Sequence, residues 1–375
     1  MSSSTSRDRL VDALRMKGGD GKHSYANNSL IQKDLLCKTK LIVEESIKEM
    51  LLKMDFPECI KVADLGCSSG QNTFVAMSQI VNAIVESYQQ NGRNSPEIDC
   101  CLNDLPENDF NTTFTLIPSF HEKLMDTNVK GTCFVSGVPG SFYTRLFPRK
   151  SLHFVHSSYS IHWLSKVPDG IEDNKKDIYL RGPCLPNVYK SYLNQFQNDF
   201  SLFLRMRSEE IVTNGGMVLM FLGREASDPL SKDCFGNMSL LSDSLNDLVS
   251  EGLVKESDVE SFNLPFYNPD EGEVREIVRN EGSFEFNKFD KFEFPFPPKT
   301  VECEEEGRYV DQSRRLENAK MFARSTRSIT ESMLVAHFGD AIIDRLFNKL
   351  AHLAAQISSN RYKTTVQCVV SLTRK

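Results

Sequence analysis

Several features that assign a chain to a class of protein are missing from this 375-residue sequence. No apolar run is long enough to span a bilayer, and the Ser-rich first residues lack the apolar segment of a secretory signal. The ten cysteines are scattered without a C-x-x-C pair, which favours reduced thiols in a cytoplasmic protein over a disulfide framework. The net charge of -7 argues against nucleic-acid and membrane partners, which favour a basic face.

Glycine motifs that bind phosphates are also missing. The chain has neither the G-x-G-x-x-G fingerprint of dinucleotide-binding proteins nor a P-loop. It has instead an apolar strand at 60–65, a G-x-x-x-G loop at Gly66 and Gly70, and a helix from Asn72. The two glycines let the backbone bend tightly and approach a ligand, although they can equally serve packing alone. An adenosine ligand without phosphates, such as S-adenosylmethionine, fits this loop better than a dinucleotide.

Strands and helices alternate after this loop and predict the fold class. This order is typical of a Rossmann-like α/β protein, with a mostly parallel sheet and helices on both faces. Helices are predicted at 24–54, 72–88, 193–211, 325–338 and 340–357, and strands at 98–102, 132–136, 152–156, 216–222 and 365–372. The last strand mixes alternation with an apolar pair, so we expect it at an edge of the sheet.

Residues 228–322 interrupt the alternation. Helical stretches there are joined by a Pro- and Phe-rich segment, 292–298, and by an acidic run, 304–306, that we interpret as a solvated turn. The sequence therefore predicts a flexible tail at 1–15, a core of 16–227 with 323–375, and a mainly helical cap at 228–322 over the acceptor pocket.

Two acidic residues stand near the ends of the first two strands. Ligands of open α/β sheets bind outside the carboxyl ends of the strands. Asp104 ends the second strand, where its carboxylate can accept hydrogen bonds from both hydroxyls of a ribose. Asp64 is a candidate to orient the amino-acid end of the same ligand. The alternative for each is a purely structural, capping role.

Five segments, taken together, resemble the SABATH family of plant methyltransferases, which act on small-molecule carboxyl groups and, in one branch, on purine nitrogens. The segments occupy residues 16–29, 64–72, 102–111, 138–143 and 157–165. The resemblance covers nearly the whole chain and is closest to the benzoate, salicylate and nicotinate branch. It implies a Rossmann-like methyltransferase fold, S-adenosylmethionine as methyl donor and a homodimer.

The resemblance also implies roles for individual residues. The donor would contact Ser29, Gln32, Cys67, Asn72, Asp104, Leu105, Ser141 and Phe142. Asp64 and Gly66, in the same glycine-loop segment as Cys67 and Asn72, complete the predicted donor site. The acceptor would contact Lys17, Gln32, Tyr159, His162 and Trp163. Some family members carry a non-catalytic metal site, and the matching residues here, expected to bind Mg²⁺, are Asn174, Glu260, Phe262 and Asn263.

The chemistry of a carboxyl acceptor needs no general base. A carboxylic acid with a pKa of about 4 is already an anion at neutral pH and can attack a sulfonium methyl group directly. The protein then has to position the reactants and exclude water. Gln32 and Trp163 offer N–H groups that can orient a carboxylate without forming an ion pair.

The identity of the acceptor depends on a few positions. In the family, a methionine before the pocket tryptophan accompanies strict salicylate use, whereas this chain has His162, found in enzymes of wider range. Two positions that usually carry an apolar residue and a tryptophan here carry Asn237 and Met238. If Asn237 is buried it needs a partner, which a pyridine nitrogen would provide, so nicotinate joins benzoate and salicylate. Asn237 can equally face solvent.

Simpler interpretations remain open. A single tryptophan is more often a core residue than a ligand contact. His153, His156 and His162 suggest a metal site, but His153 and His156 would point to opposite faces of a strand. Cys67 has no evident base to make it a nucleophile, so we interpret it as a small wall residue. The competing functions are methylation of a larger acid such as jasmonate or indole-acetate, methylation of a purine nitrogen, and a non-catalytic binding protein.

Overall fold

A seven-stranded sheet forms the centre of the molecule. The computed structural model describes residues 13–125, 132–175, 177–181, 184–225, 238–296, 312–357 and 363–375. The strands are β1 (Cys59–Leu65), β2 (Glu97–Asp104), β3 (Cys133–Pro139), β4 (Leu152–Ser158), β5 (Ile211–Gly223), β6 (Phe284–Phe296) and β7 (Lys363–Arg374). Their order is β3-β2-β1-β4-β5-β7-β6, with β1 to β5 parallel and the last two antiparallel. The predicted α/β class with a mostly parallel sheet is confirmed.

Helices cover this sheet on both faces. The helices of the described residues are α1 (Tyr25–Asn28), α2 (Leu30–Lys38), α3 (Lys40–Met54), α4 (Asn72–Gln90), α5 (Phe110–Phe114), α6 (Ile117–Met125), α7 (Pro186–Glu210), α8 (Ser239–Ser250), α9 (Glu256–Glu260), α10 (Glu271–Glu281), α11 (Gln312–Phe338) and α12 (Ile343–Gln356). Strand residues alternate between two cores. Met217, Leu219 and Phe221 pack on the side of α7, whereas Val218 and Met220 pack on the side of α3 and α4.

The sheet corrects two expectations drawn from the sequence. Residues 284–296, expected in the cap, form the edge strand β6 along β7. The last strand is consequently internal, between β5 and β6, and does not lie at an edge. An edge strand tolerates Pro295 because the missing N–H can face away from the sheet, so the Pro- and Phe-rich composition did not exclude a strand. The rest of the domain division stays a prediction, and the acidic run 304–306 lies outside the described residues.

Candidate active site

A cavity of about 440 Å³ opens at the carboxyl ends of the parallel strands. It is walled by the loops after β1, β2 and β4, by α2, and by residues of α11, β6 and β7. This is the place where open α/β sheets bind ligands. Of the residues singled out in the sequence, those that line this cavity are Gln32, Gly66, Asp104, Leu105, Ser141, Phe142, Tyr159, His162, Trp163 and Met238.

The glycine loop after β1 makes the tight turn that its sequence predicts. Gly66 has a φ of +79°, and a side chain there would collide with Ser160. Gly70 has a φ of +102°, and a Cβ there would lie 2.8 Å from the Cα of Ala26. Both positions combine a left-handed backbone with a close neighbour, so glycine is required for backbone geometry as well as for space.

Asp104 presents a fixed carboxylate to the cavity. Its Oδ2 accepts a hydrogen bond from the backbone N–H of Ser68 at 2.7 Å, and its Oδ1 accepts one from the backbone N–H of Leu105 at 2.8 Å. Burial raises the pKa of Asp104 to about 6, although the two backbone bonds oppose this shift. Each oxygen keeps a lone pair, so the carboxylate can accept two further hydrogen bonds, as from the two hydroxyls of a ribose.

A buried ion pair holds the loop that carries Ser141 and Phe142. Arg207 is fully buried in α7, where it donates to the carbonyl oxygens of Phe142 and Thr144, each at 2.9 Å. Its Nε lies 2.8 Å from a carboxylate oxygen of the equally buried Glu210. The sequence analysis missed both residues. The available signal was an arginine on the face of α7 that otherwise buries Phe200 and Phe203.

The acceptor end of the cavity contains polar groups without charge. Gln32 is buried in α2, and its side-chain oxygen has no partner among the described residues. The same holds for the hydroxyl of Tyr159, whose pKa is raised by burial and by the nearby Tyr25 and Asp34. These atoms belong to side chains that line the cavity, so a ligand can complete their hydrogen bonds.

His162 is a neutral donor in this cavity. Its Nδ1 accepts a hydrogen bond from the backbone N–H of Leu222 at 3.2 Å. Burial lowers the pKa of His162 to about 3, so the imidazole is uncharged at neutral pH. With Nδ1 accepting, the proton lies on Nε2, which has no protein partner in the described part of the chain.

Trp163 serves both the core and the cavity. Its ring packs edge-on against Phe266 with centroids 5.1 Å apart, and the two residues form an isolated antiparallel bridge. The hydroxyl of Tyr143 donates to the carbonyl oxygen of Trp163 at 2.6 Å. The indole is 9% exposed and lines the cavity, so the core and ligand interpretations of this single tryptophan are compatible.

Known proteins match this chain over almost its full length. A family model described as SAM dependent carboxyl methyltransferase matches residues 11–375. This chain belongs to the S-adenosylmethionine-dependent carboxyl methyltransferase family, the SABATH family. The enzyme is therefore a carboxyl methyltransferase that uses S-adenosylmethionine.

Named relatives of the methyltransferase come from several plants. A salicylate/benzoate carboxyl methyltransferase of Arabidopsis thaliana is 52% identical, over 98% of this chain and 94% of that protein. A benzoic acid/salicylic acid carboxyl methyltransferase of Petunia hybrida is 43% identical, over 97% of this chain and 99% of that protein. Among solved structures, a loganic acid methyltransferase with SAH has a TM-score of 0.81 and 33% identity, covering 96% of this chain and 98% of that one. That match confirms the Rossmann-like methyltransferase fold.

Asp64 lies behind the cavity wall of the methyltransferase. One oxygen of its carboxylate accepts a hydrogen bond from the hydroxyl of Thr73 at 2.6 Å, and the other lies 2.7 Å from Nδ1 of His156. Asp64 is buried between β1, β4 and α4 and does not line the cavity. The carboxylate therefore ties strand to helix, and its contact with the donor stays a prediction. His156 supplies its Nδ1 to the same contact.

Five other predicted contacts stand beside the cavity or outside the described residues. Lys17 does not line it and instead forms an ion pair with Glu331 at 2.7 Å. Ser29 accepts a hydrogen bond through its carbonyl oxygen from the amide of Asn72 at 3.0 Å, so the two brace the loop around Gly70. Cys67 is buried, which raises the pKa of its thiol well above normal and makes a nucleophilic thiolate unfavourable. Met238 lines the cavity, but Asn237 lies outside the described residues.

The residues implied to bind Mg²⁺ fit a cation poorly. Asn174 and Asn263 do come together, but the amide nitrogen of Asn174 donates to the side-chain oxygen of Asn263 at 2.7 Å. That oxygen would have to face the cation. Phe262 packs against Phe338, and Glu260 is the single carboxylate of the set. The described residues contain no group of three His, Cys, Asp or Glu side chains that could hold a metal.

Among the described residues, no helix combines the length and the apolar character that a membrane span requires.

Proposed function

We propose that the enzyme transfers the methyl group of S-adenosylmethionine to the carboxylate of a small aromatic acid, namely benzoate, salicylate or nicotinate, and releases the methyl ester. The observation that carries this proposal is the uncharged donor set Gln32, His162 and Trp163, which lines the same cavity as Asp104. The aromatic and apolar lining suits a flat ring, and the relatives named for salicylate and benzoate support the same class of acceptor.

The donor end binds through groups that are already in place. Asp104 accepts hydrogen bonds from the ribose, while Gly66 allows the ligand to approach the backbone closely. Ser141 and Phe142 complete the adenosine wall on a loop held by Arg207. S-adenosylmethionine supplies an electrophilic methyl group, so the protein needs only to hold the acceptor in line with it.

The acceptor end orients a carboxylate without taking a proton from it. The Gln32 amide, the Trp163 indole and the His162 Nε2–H are neutral donors that leave the negative charge on the carboxylate. No described lining residue is a lysine or an arginine, so no ion pair reduces its nucleophilicity. His162, with its pKa lowered to about 3, is too weak a base to remove a proton at neutral pH. The mechanism is direct in-line displacement by proximity and exclusion of water.

Methyl-labelled S-adenosylmethionine tests this function directly. The enzyme is incubated with benzoate, salicylate, nicotinate, jasmonate, indole-acetate and xanthine, and each product is separated and treated with base, which hydrolyses esters. We expect base-labile label on at least one of the three aromatic acids. If only jasmonate, indole-acetate or a purine nitrogen becomes labelled, the acceptor is that compound and not a small aromatic acid. If none of the six compounds becomes labelled, the proposal is contradicted.

We further propose a homodimer that resides in the cytoplasm, with any Mg²⁺ bound away from the chemistry. The family resemblance supports the dimer and the placement of the metal, and the scattered cysteines without a C-x-x-C pair support the location. Light scattering of the purified enzyme tests the dimer, and imaging of the tagged full chain tests the location. If activity changes neither after chelation nor after magnesium is added, any bound metal takes no part in the reaction.

A further inference from the structure

Gln367 reaches the cavity from the strand β7, and no motif in the sequence singled it out. It is 1% exposed and stands two residues after Thr365, so both side chains lie on the same face of the sheet and both line the cavity. Across the sheet Gln367 pairs with Leu222 of β5. The backbone N–H of Leu222 donates to His162, so Gln367 and His162 are two polar groups on neighbouring parts of one wall.

The amide of Gln367 is only half satisfied by the protein. Its nitrogen donates to the hydroxyl of Thr365 over a long 3.4 Å, and its oxygen has no partner within the described part of the chain. A buried polar atom without a partner is unfavourable, so a ligand or water in the cavity has to complete the bond. The neighbouring lining residues Leu222 and Phe294 are apolar and cannot do so.

Together, Gln367 and Thr365 can present either a hydrogen-bond donor or an acceptor to the cavity. A glutamine amide can turn over, and a threonine hydroxyl both donates and accepts. In one orientation Gln367 shows its oxygen to the cavity while its nitrogen donates to Thr365. In the other it shows its NH₂ while its oxygen accepts from the Thr365 hydroxyl. The pair therefore suits a ring hydroxyl, which donates, as well as a ring nitrogen, which accepts.

We propose that Gln367, set by Thr365, recognises a hydrogen-bonding atom on the ring of the acceptor and favours hydroxylated or nitrogen-containing aromatic acids over plain benzoate. This rests on the proposed function, in which Gln32 and Trp163 hold the carboxylate. Plain benzoate leaves the Gln367 amide unpaired, whereas a ring hydroxyl or nitrogen satisfies it. Gln367 is thus a specificity residue that belongs to the described cavity lining, whereas Asn237 lies outside the described residues.

The first test compares acceptors on the unaltered enzyme. kcat/KM is measured for benzoate, the three pyridine carboxylates and the three monohydroxybenzoates, at saturating donor. We expect at least one substituted acid to exceed benzoate about tenfold, since a site built for a hydrogen bond discriminates against an analogue that lacks it. If all of these acids are used no better than benzoate, the inference is wrong while the proposed function stands. If none is methylated, the proposed function itself fails.

The second test removes the amide. In Gln367→Leu the preference for the best substituted acid over benzoate should fall about tenfold, mainly through the KM of the acceptor, with the KM of the donor unchanged. Gln79→Leu is the matched control, because the Gln79 amide bonds to the carbonyl oxygen of Leu36 outside the cavity, and it should keep the wild-type ratio. If thermal unfolding shows that Gln367→Leu is not folded, Gln367→Met is used in its place. A preference that stays within twofold of wild type in the folded variant overturns the proposal.

Discussion

Donor binding should depend on the protonation of Asp104, and the sign follows from the structure. Burial raises its pKa to about 6 in the ligand-free enzyme. Ribose hydroxyls that donate to the charged carboxylate favour that form, so the pKa falls when the ligand binds. The ligand therefore binds the deprotonated enzyme, and the affinity is nearly full at pH 7 and falls as the pH drops through about 6.

The size of the effect can be worked out from that pKa. At pH 5 about nine in ten ligand-free molecules carry a protonated Asp104, which lowers the affinity about tenfold relative to pH 7. Near pH 6 about half a proton should leave the enzyme per ligand bound. Asp104→Asn removes a charged acceptor, so we expect a loss of about 2 kcal/mol, or roughly thirtyfold, and an affinity that no longer changes with pH.

Calorimetry with S-adenosylhomocysteine measures all three quantities. Titrations from pH 5 to 8 give the affinity, and repeating them in buffers of different ionisation heat gives the number of protons released. Glu107→Gln is the matched control, because Glu107 is an exposed acid on the loop after Asp104 and should behave as wild type. An affinity that is flat from pH 5 to 8, or equally pH-dependent in Asp104→Asn, would refute the reasoning.

Three further changes test other parts of the site. Arg207→Met removes the ion-pair partner of one oxygen of the buried Glu210, whose other oxygen keeps Arg145 and the backbone N–H groups of Leu146 and Phe147. The change should destabilise the enzyme by about 3 kcal/mol in denaturant unfolding, with partial recovery when Glu210→Gln is added. Gly66→Ala meets both a positive φ and the Ser160 side chain, so calorimetry should show S-adenosylhomocysteine binding reduced at least tenfold, and wild-type affinity would contradict the assigned turn. Trp163→Phe removes an indole donor and should raise the KM of the acceptor without changing the KM of the donor, a split that steady-state kinetics reports.

The turn and the strand-end carboxylate of the proposed donor site were predictable from the sequence, while their contacts with the ligand stay predictions. The strand, the glycine turn and Asp104 are close in sequence to the elements that position them, and their local chemistry limits their roles. Asp64 was predicted less well, since its partners Thr73 and His156 come from another helix and another strand. Whether a strand-end carboxylate faces a ligand or the back of the sheet depends on those tertiary partners, which no local pattern contains.

The acceptor half and the last strands were harder to predict. The sequence suggested a cap at 284–296, because a Pro- and Phe-rich segment can be a loop or an edge strand with the same composition. Gln367 was missed for a related reason. A glutamine in an apolar strand carries no signal for a cavity until its sheet neighbours Leu222 and Phe292, distant in sequence, are placed beside it.

Charge in this enzyme is used for support behind the cavity more than for contact with the acceptor. Arg207 and Glu210 hold the loop of Phe142, and Arg224 bonds to Asp270 and Glu273 at the start of α10. The segment just before α10 carries Phe266, which packs on Trp163. An arginine inside the cavity would bind a carboxylate more tightly. It would, however, stabilise the bound ground state at least as much as the transition state, and so it would not raise kcat. Charged clamps outside and neutral donors inside therefore keep the site rigid while leaving the acceptor carboxylate reactive.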